Sequence, residues 1–272
     1  MIDPALDSKL DALRAELQRL GRVVVAFSGG ADSAFLAAVA NQTLGDRAHA
    51  VTAVSPSLAG SERDDCDALR QEWGMRWTPV VTDEMARAAY RLNDSDRCYH
   101  CKAELMDVVG PLAAAEGATV VLGVNTDDLT DHRPGQRAAL EAGAEFPLVT
   151  AGFSKDDVRD ASRQLGLRTW NKPAAACLAS RIPTGTPVTI GVLSAVERAE
   201  AAIKRLGFTD VRVRHYGETA RIEIGVGELA RAIEDRVAIV DGVKAAGYRY
   251  VTLDLEGFRS GNLNTVGVRS PA

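Results

Sequence analysis

Leu6, Leu10, Leu13, Leu17 and Leu20 recur every three or four residues along a polar background that ends at Gly21. This is the apolar stripe of an amphipathic helix, with Asp3 and Pro4 placed as its cap and first turn. The pattern then changes: "RVVVAF" is apolar and β-branched without a break, as in a strand buried on both faces of a parallel sheet. "SGGADS" and the helical "AFLAAVANQTLG" follow at once, giving strand, glycine loop and helix. The alternation continues through "AHAVTAV" as strand and "SERDDCDALRQEWG" as helix, with Ser61 and Asp64 in capping-box positions. "RWTPVV" reads as strand, "ELMDVVGPLAAAEG" as helix, "TVVLG" as strand, and "SKDDVRDASRQLG" as a helix boxed by Ser154 and Asp157 and stopped at Gly166.

Strands alternating with helices predict an α/β fold with a doubly wound, mostly parallel sheet, whose ligands bind beyond the carboxyl ends of the strands. After Pro173 the pattern shifts to a loop of small residues and prolines. A helix "VLSAVERAEAAIKRLG", strands "DVRVRHYG" and "ARIEIGVG", a helix from about Glu228 to Ala246 and a strand "YRYVTLDL" complete a smaller α+β unit. The expected organisation is two domains, residues 1–180 and 181–272.

Composition narrows the functional classes. Among 272 residues, 46% hydrophobic and 25% charged describe an ordinary globular chain with no run long enough to span a bilayer. The N-terminal stretch lacks the basic and apolar regions of a secretory signal, so a cytoplasmic location without membrane attachment is expected. A net charge of −5 argues against a large nucleic-acid footprint. Four cysteines are too few for a disulfide framework, which points to metal binding or catalysis.

The glycine loop carries the first candidate site. At a strand-to-helix handover, the amides of Gly29, Gly30 and Ala31 converge on one anion site and the helix N-terminus adds its positive end. No lysine of a phosphoryl-transfer loop is present; Ser28 and Ser33 offer hydroxyls instead. "SGGADS" after "VVVAF" resembles the signature of the ATP pyrophosphatase (PP-loop) superfamily, of adenine nucleotide alpha hydrolase-like fold. The resemblance implies cleavage of ATP between its α and β phosphates, transfer of AMP to a substrate oxygen, and a magnesium ion managed by Asp32.

The cysteines carry the second. Cys66, Leu69 and Trp73 share one face of a charged helix, so Cys66 is expected in the core. Cys177 lies among small residues in "AAACLASRIP". Cys98 and Cys101, in "NDSDRCYHCKAEL", form a polar approach to a helix and are open to three readings: half a zinc site, a redox pair, or two ligands of an iron-sulfur cluster. Three cysteines without an obvious fourth suit a four-iron cluster with one open iron, where a sulfide can bind.

"GVNTDDLTDHRPGQRAALEAG", "SKDDVRDASRQLGL" and "WNKPAAACLASRIPTGTPVT", with the C-terminal unit, resemble the LarE family, sulfur transferases that make the nickel-pincer nucleotide cofactor. The likeness spans nearly the whole chain. It implies adenylation of the carboxylates of a pyridinium biscarboxylic acid mononucleotide and their conversion to thiocarboxylates. Some members sacrifice one cysteine; others hold a 4Fe-4S cluster on three. Cys177 matches the sacrificial position, and the added pair implies the cluster-bearing type, with Cys98, Cys101 and Cys177 as ligands and an external sulfide donor. Val54 and Gly123 are expected to flank the adenosine, with Asn125, Asp127 and Asp128 at the same sheet edge and Arg133 or Arg137 near a phosphate.

In the C-terminal unit, strand alternation puts Arg212 and Arg214 on one polar face. They are expected at the substrate phosphate, with Glu200, Glu223 and Arg259 as further candidates and Arg181 in contact with substrate. A homo-oligomer is expected from the family alone. A tRNA-thiolating PP-loop enzyme and a non-catalytic nucleotide- or metal-binding protein are the other readings.

Overall fold

The computed structural model of the chain describes residues 4–130, 134–172 and 176–258; Asp3, Arg133, Pro173 and Arg259 lie outside them. Two compact units result, one of residues 1–90 and 95–175, the other of residues 91–94 and 176–272.

The larger unit opens with α1 (Pro4–Leu20), β1 (Val23–Ala26), α2 (Ala31–Leu44), β2 (Ala48–Val54), α3 (Gly60–Glu72) and β3 (Trp77–Val81). The chain passes through α4 (Ala88–Leu92), inside which the division between the units falls, and returns as α5 (Arg97–Glu116), β4 (Thr119–Leu122), α6 (Pro134–Glu141), α7 (Pro147–Thr150) and α8 (Lys155–Gln164). The four strands run parallel in the order β3-β2-β1-β4. Val23 and Val25 of β1 enter a core with Leu10, Leu13 and Phe35, whereas Val24 enters a second core with Leu105 and Val109. Two covered faces explain why this strand has no polar position. The sheet order reverses between β1 and β4, so the crevice for a ligand opens beyond the ends of those two strands.

The expected capping box closes α8: Ser154 Oγ accepts from the Asp157 amide at 3.2 Å and Asp157 Oδ2 accepts from the Ser154 amide at 2.8 Å. Ser154→Ala is expected to cost about 1 kcal/mol, read as a shift in the denaturant midpoint of unfolding. At α3 the box does not form. The helix starts one residue earlier than Ser61, at Gly60, and its cap residue is Ala59, which has no side-chain oxygen.

The smaller unit holds α9 (Ile190–Arg205), β5 (Val211–Tyr216), β6 (Thr219–Ile224), α10 (Leu229–Glu234), α11 (Arg236–Ala245) and β7 (Tyr250–Leu253). β5 and β6 are antiparallel and β7 joins β6 in parallel. Val211, Val213, Ile222 and Ile224 pack against Ile203 of α9 and Val243 of α11. The single helix expected over 228–246 is broken at Asp235 into α10 and α11. Residues 91–94 belong here because Asn93, fully buried, directs its side-chain amide to the carbonyls of Ile182 (3.3 Å), Pro183 (2.9 Å) and Thr186 (2.8 Å). No helix among the described residues is long and apolar enough to cross a membrane.

Candidate functional site

The glycine loop sits at the reversal of the sheet order. Gly29 has φ +71°, a conformation open to glycine at little cost, and Gly30 caps α2 in extended geometry. The two serines tie the loop into a ring: Ser28 Oγ and Ser33 Oγ lie 3.0 Å apart, and Ser33 Oγ accepts from the Ser28 amide (3.2 Å) while donating to the Gly30 carbonyl (3.1 Å). The loop's own hydrogen bonds therefore fix its shape.

β4 reaches the loop through a close approach. A Cβ on Gly123 would stand 2.8 Å from the Asp32 carbonyl carbon and the Ser33 nitrogen, so the strand end lies against the first turn of α2. Two residues on, the buried Asn125 turns back on itself, its Oδ1 accepting from the amides of Asp127 (3.0 Å) and Asp128 (3.2 Å). Its Nδ2 donates to Asp32 Oδ1 at 3.3 Å. Asn125 and Asp32 thus meet at the sheet edge, while Asp127 accepts from the Lys155 amide at 2.9 Å and Asp128 from the Asn125 amide at 3.2 Å. Both aspartates help to shape the turn.

Sequence reasoning missed two cations at this loop. Lys155 donates to Asp32 Oδ2 at 2.6 Å. Lys172 bridges Asp65 (2.6 Å) and Glu62 (2.8 Å) of α3. Burial pulls the Lys172 ammonium down, but its hydrogen bonds to Asp65 and Glu62 outweigh this and hold it above the ordinary lysine value. Lys155 was visible only as the residue after a cap and Lys172 only as part of "NKP"; neither spacing marks a contact across the fold. Cys66 is buried as expected and lies beneath Gly29, and burial pushes its thiol up to about 11. An open cavity of about 430 Å³, bordered by Arg63, Asp64, Trp77 and Val81, shares only Val54 with the predicted nucleotide residues. The cavity is a feature of the sheet's β3 edge and not of the loop.

Cys98 and Cys101 differ in position from the sequence reading. They lie inside the first turns of α5, not ahead of the helix, because α5 begins at Arg97. Their i, i+3 spacing puts both on one helix face, Cys98 exposed and Cys101 half-buried, and neither is in a disulfide. Burial lowers the ammonium of Lys102 beside them, against the opposing pull of Cys101 and Cys98. Arg137 of α6 stacks on Tyr99 with its guanidinium carbon 4.9 Å from the ring centre and lies 3.6 Å from Glu141. These contacts tie it to the α5–α6 pair. Among the described residues no group of three or more His, Cys, Asp or Glu side chains is gathered as for a metal ion.

In the smaller unit the predicted polar face is covered at Arg214 and Glu223 and half-buried at Arg212 and Arg221. Arg214 is buried and donates to Glu223 Oε2 (2.8 Å), itself buried, and to the Ser180 carbonyl (3.1 Å). Arg221 donates to Glu223 Oε1 at 3.0 Å, so one carboxylate serves the facing arginines of β5 and β6. Arg212 is half-buried, stacks over Phe258 at 5.0 Å and donates to the Val211 carbonyl at 2.9 Å. Arg181, expected at the substrate, is buried and spends its guanidinium on the protein. Its Nε and Nη2 meet Glu200 at 2.9 and 3.2 Å, and Nη1 meets the Cys177 carbonyl (3.0 Å), Ser180 Oγ (3.1 Å) and the Ala176 carbonyl. Glu200 also accepts from the Val213 amide at 3.0 Å. Arg181 and Arg214 together hold the turn that presents the half-buried Cys177.

No family model matches the chain. It is 46% identical to an uncharacterized protein of Synechocystis, over 96% of this chain and 98% of that one. It is 38% identical to the pyridinium-3,5-bisthiocarboxylic acid mononucleotide synthase of Lactiplantibacillus plantarum, over 95% of both. The chain belongs to the LarE family. Within this LarE-family chain the fold reading also has company. One component of the glutamine-hydrolyzing GMP synthase of Thermoplasma acidophilum is 25% identical over 61% of the chain and 59% of its own length.

Proposed function

We propose that the chain is an ATP-dependent sulfur transferase acting on pyridinium-3,5-biscarboxylic acid mononucleotide, with thiocarboxylates as product. The observation that carries this reading is a glycine loop braced by its own serines at the sheet reversal, in a chain similar over nearly its full length to a bisthiocarboxylic acid mononucleotide synthase. In the proposed reaction a substrate carboxylate oxygen attacks the α-phosphorus of ATP, the α–β bridging P–O bond breaks, and pyrophosphate leaves. A sulfide sulfur then attacks the acyl carbon, the C–O bond breaks, and AMP departs.

The chain's residues divide this work. The amides of Gly29 to Ala31 and the N-terminus of α2 receive the pyrophosphate, Ser28 and Ser33 keep the loop in shape, and Val54 and Gly123 flank the adenosine. Asp32 would hold magnesium through its carboxylate oxygens, a hard-ion donor type that fits; the Lys155 ammonium already occupies a cation position on Oδ2. The half-buried Arg212 faces the substrate phosphate, the buried Arg214 holds the Ser180 carbonyl, and Arg181 and Asn125 position Cys177 and Asp32. The paired thiols on one face of α5 fit two ligands of an iron-sulfur cluster, and Cys177, matching the family's cysteine position, would be the third of a 4Fe-4S group. Such a group supplies a replaceable sulfide on its open iron. The enzyme works in the cytoplasm, as a homo-oligomer, with a separate sulfide donor and no nucleic acid.

In the second reading Cys177 gives up its own sulfur and becomes dehydroalanine. Protein prepared without oxygen and reconstituted with iron and sulfide is expected to hold about four irons per chain. A Cys98→Ala, Cys101→Ala double variant is expected to lose the iron and the acid-labile sulfide. Full multi-turnover sulfur transfer by that variant would sink the cluster reading, and loss of the Cys177 sulfur by intact mass after one turnover would establish the sacrificial one.

A further inference from the structure

Lys172 lies beside the glycine loop without belonging to it. Its Nζ is 3.7 Å from the point a Cβ on Gly29 would occupy, so the charge sits against the loop backbone. The side chain is 18% exposed, sheltered but reachable. Its two carboxylate partners differ in what they would lose if the lysine moved. Asp65 keeps Arg168, which donates to its other oxygen at 2.6 Å. Glu62, with 26% of its side chain exposed, has solvent within reach. Neither carboxylate would be stranded as a buried, unpaired charge, which is the usual obstacle to breaking such an ion pair.

We propose that Lys172 is a phosphate-binding cation of the glycine loop, parked on Glu62 and Asp65 until a polyphosphate enters, and that it then exchanges Glu62 for an oxygen of the pyrophosphate moiety. The inference rests on reading the loop as the polyphosphate site and deepens it by supplying the lysine that the loop sequence lacks. Before the exchange, Lys172 and Arg168 are balanced by Glu62 and Asp65, so the cluster offers an arriving anion no uncompensated positive charge. After it, Asp65 is neutralised by Arg168, Glu62 is solvated, and the ammonium makes a charge-assisted bond to phosphate. The resting ion pair acts as a competitor for the same lysine.

That competition separates a binding role from a purely structural one, because removing either partner breaks the same tie. Titration calorimetry on the full chain with magnesium ATP, inorganic pyrophosphate and AMP provides the readout. Lys172→Met is expected to weaken ATP and pyrophosphate binding about tenfold or more while leaving AMP within about twofold. Glu62→Gln is expected to tighten pyrophosphate binding about threefold, since the lysine is released and a repelling charge is gone. Lys172→Arg should recover part of the lost affinity. If Glu62→Gln weakens binding as Lys172→Met does, the lysine is a structural tie and the inference falls. Wild-type pyrophosphate affinity in Lys172→Met also overturns it, with the loop reading intact. No ATP or pyrophosphate binding by the wild-type protein would overturn the loop reading itself, and the inference with it.

Discussion

Gly123→Ala is expected to lower ATP affinity at least tenfold and to destabilise the larger unit by about 1–3 kcal/mol, the usual cost of forcing a methyl into a packed site. The methyl would stand 2.8 Å from backbone atoms of Asp32 and Ser33, and backbone cannot swing aside as a side chain can. Either the end of β4 or the first turn of α2 must shift. The Asn125 to Asp32 hydrogen bond, already 3.3 Å long, spans that junction and should break first. Thermal or denaturant unfolding gives the stability change and calorimetric titration the affinity. A folded Gly123→Ala protein that binds ATP as tightly as wild type would show that the packing of β4 on α2 does not shape the nucleotide site.

Arg181→Met should cost the smaller unit about 3–5 kcal/mol, because it leaves Glu200 buried and unpaired. Both side chains are nearly inaccessible, 4% and 5% exposed, so solvent does little to screen the loss. An Arg181→Met, Glu200→Met double variant is expected to recover part of that stability, since the stranded charge is gone while the buried Val213 amide loses its acceptor. It should not recover sulfur transfer. The carbonyls of Ala176 and Cys177 would still lack the guanidinium that fixes them, and the thiol would be presented on a loose turn. A single Arg181→Met variant as stable as wild type would remove the basis for this assignment. Recovered activity in the double variant would mean that the turn holds its shape without Arg181.

Much of the fold was legible because its signals are local. Val23 to Val25 read as a strand with two covered faces, and the two cores that claim alternate valines are the physical content of that reading. The box at Ser154 and Asp157 formed, since both partners lie within one turn. The box at Ser61 and Asp64 did not, because the helix begins at Gly60 and moves both residues inward. Periodicity also misplaced Cys98 and Cys101 relative to α5, whose first turns lack the apolar residues that announce a helix.

The site was less legible than the fold. Ser28 to Ser33 could be read directly, as a short motif at a strand-to-helix junction. Lys155 and Lys172 could not: their partners are Asp32 and Asp65, more than a hundred positions away in sequence. The arginines of β5 and β6 illustrate the opposite error. Alternation correctly placed Arg214 and Glu223 on the non-valine face, yet nothing in a period of two tells whether that face is open. Here it is covered, and the charges are paired within it.

The short segment Arg91–Asp94 bears on how the protein can be taken apart. It precedes the cysteine-bearing helix α5 in sequence but is built into the smaller unit, where three carbonyls of residues 182–186 converge on the Asn93 amide. The polypeptide therefore crosses the division three times, and no single scission yields both units whole. Cleavage after Ala175 would leave one fragment with a displaced tetrapeptide and the other with three carbonyls short of the Asn93 donor. Limited proteolysis or gene truncation at that point should release interdependent fragments, the smaller of them lacking Arg91–Asp94.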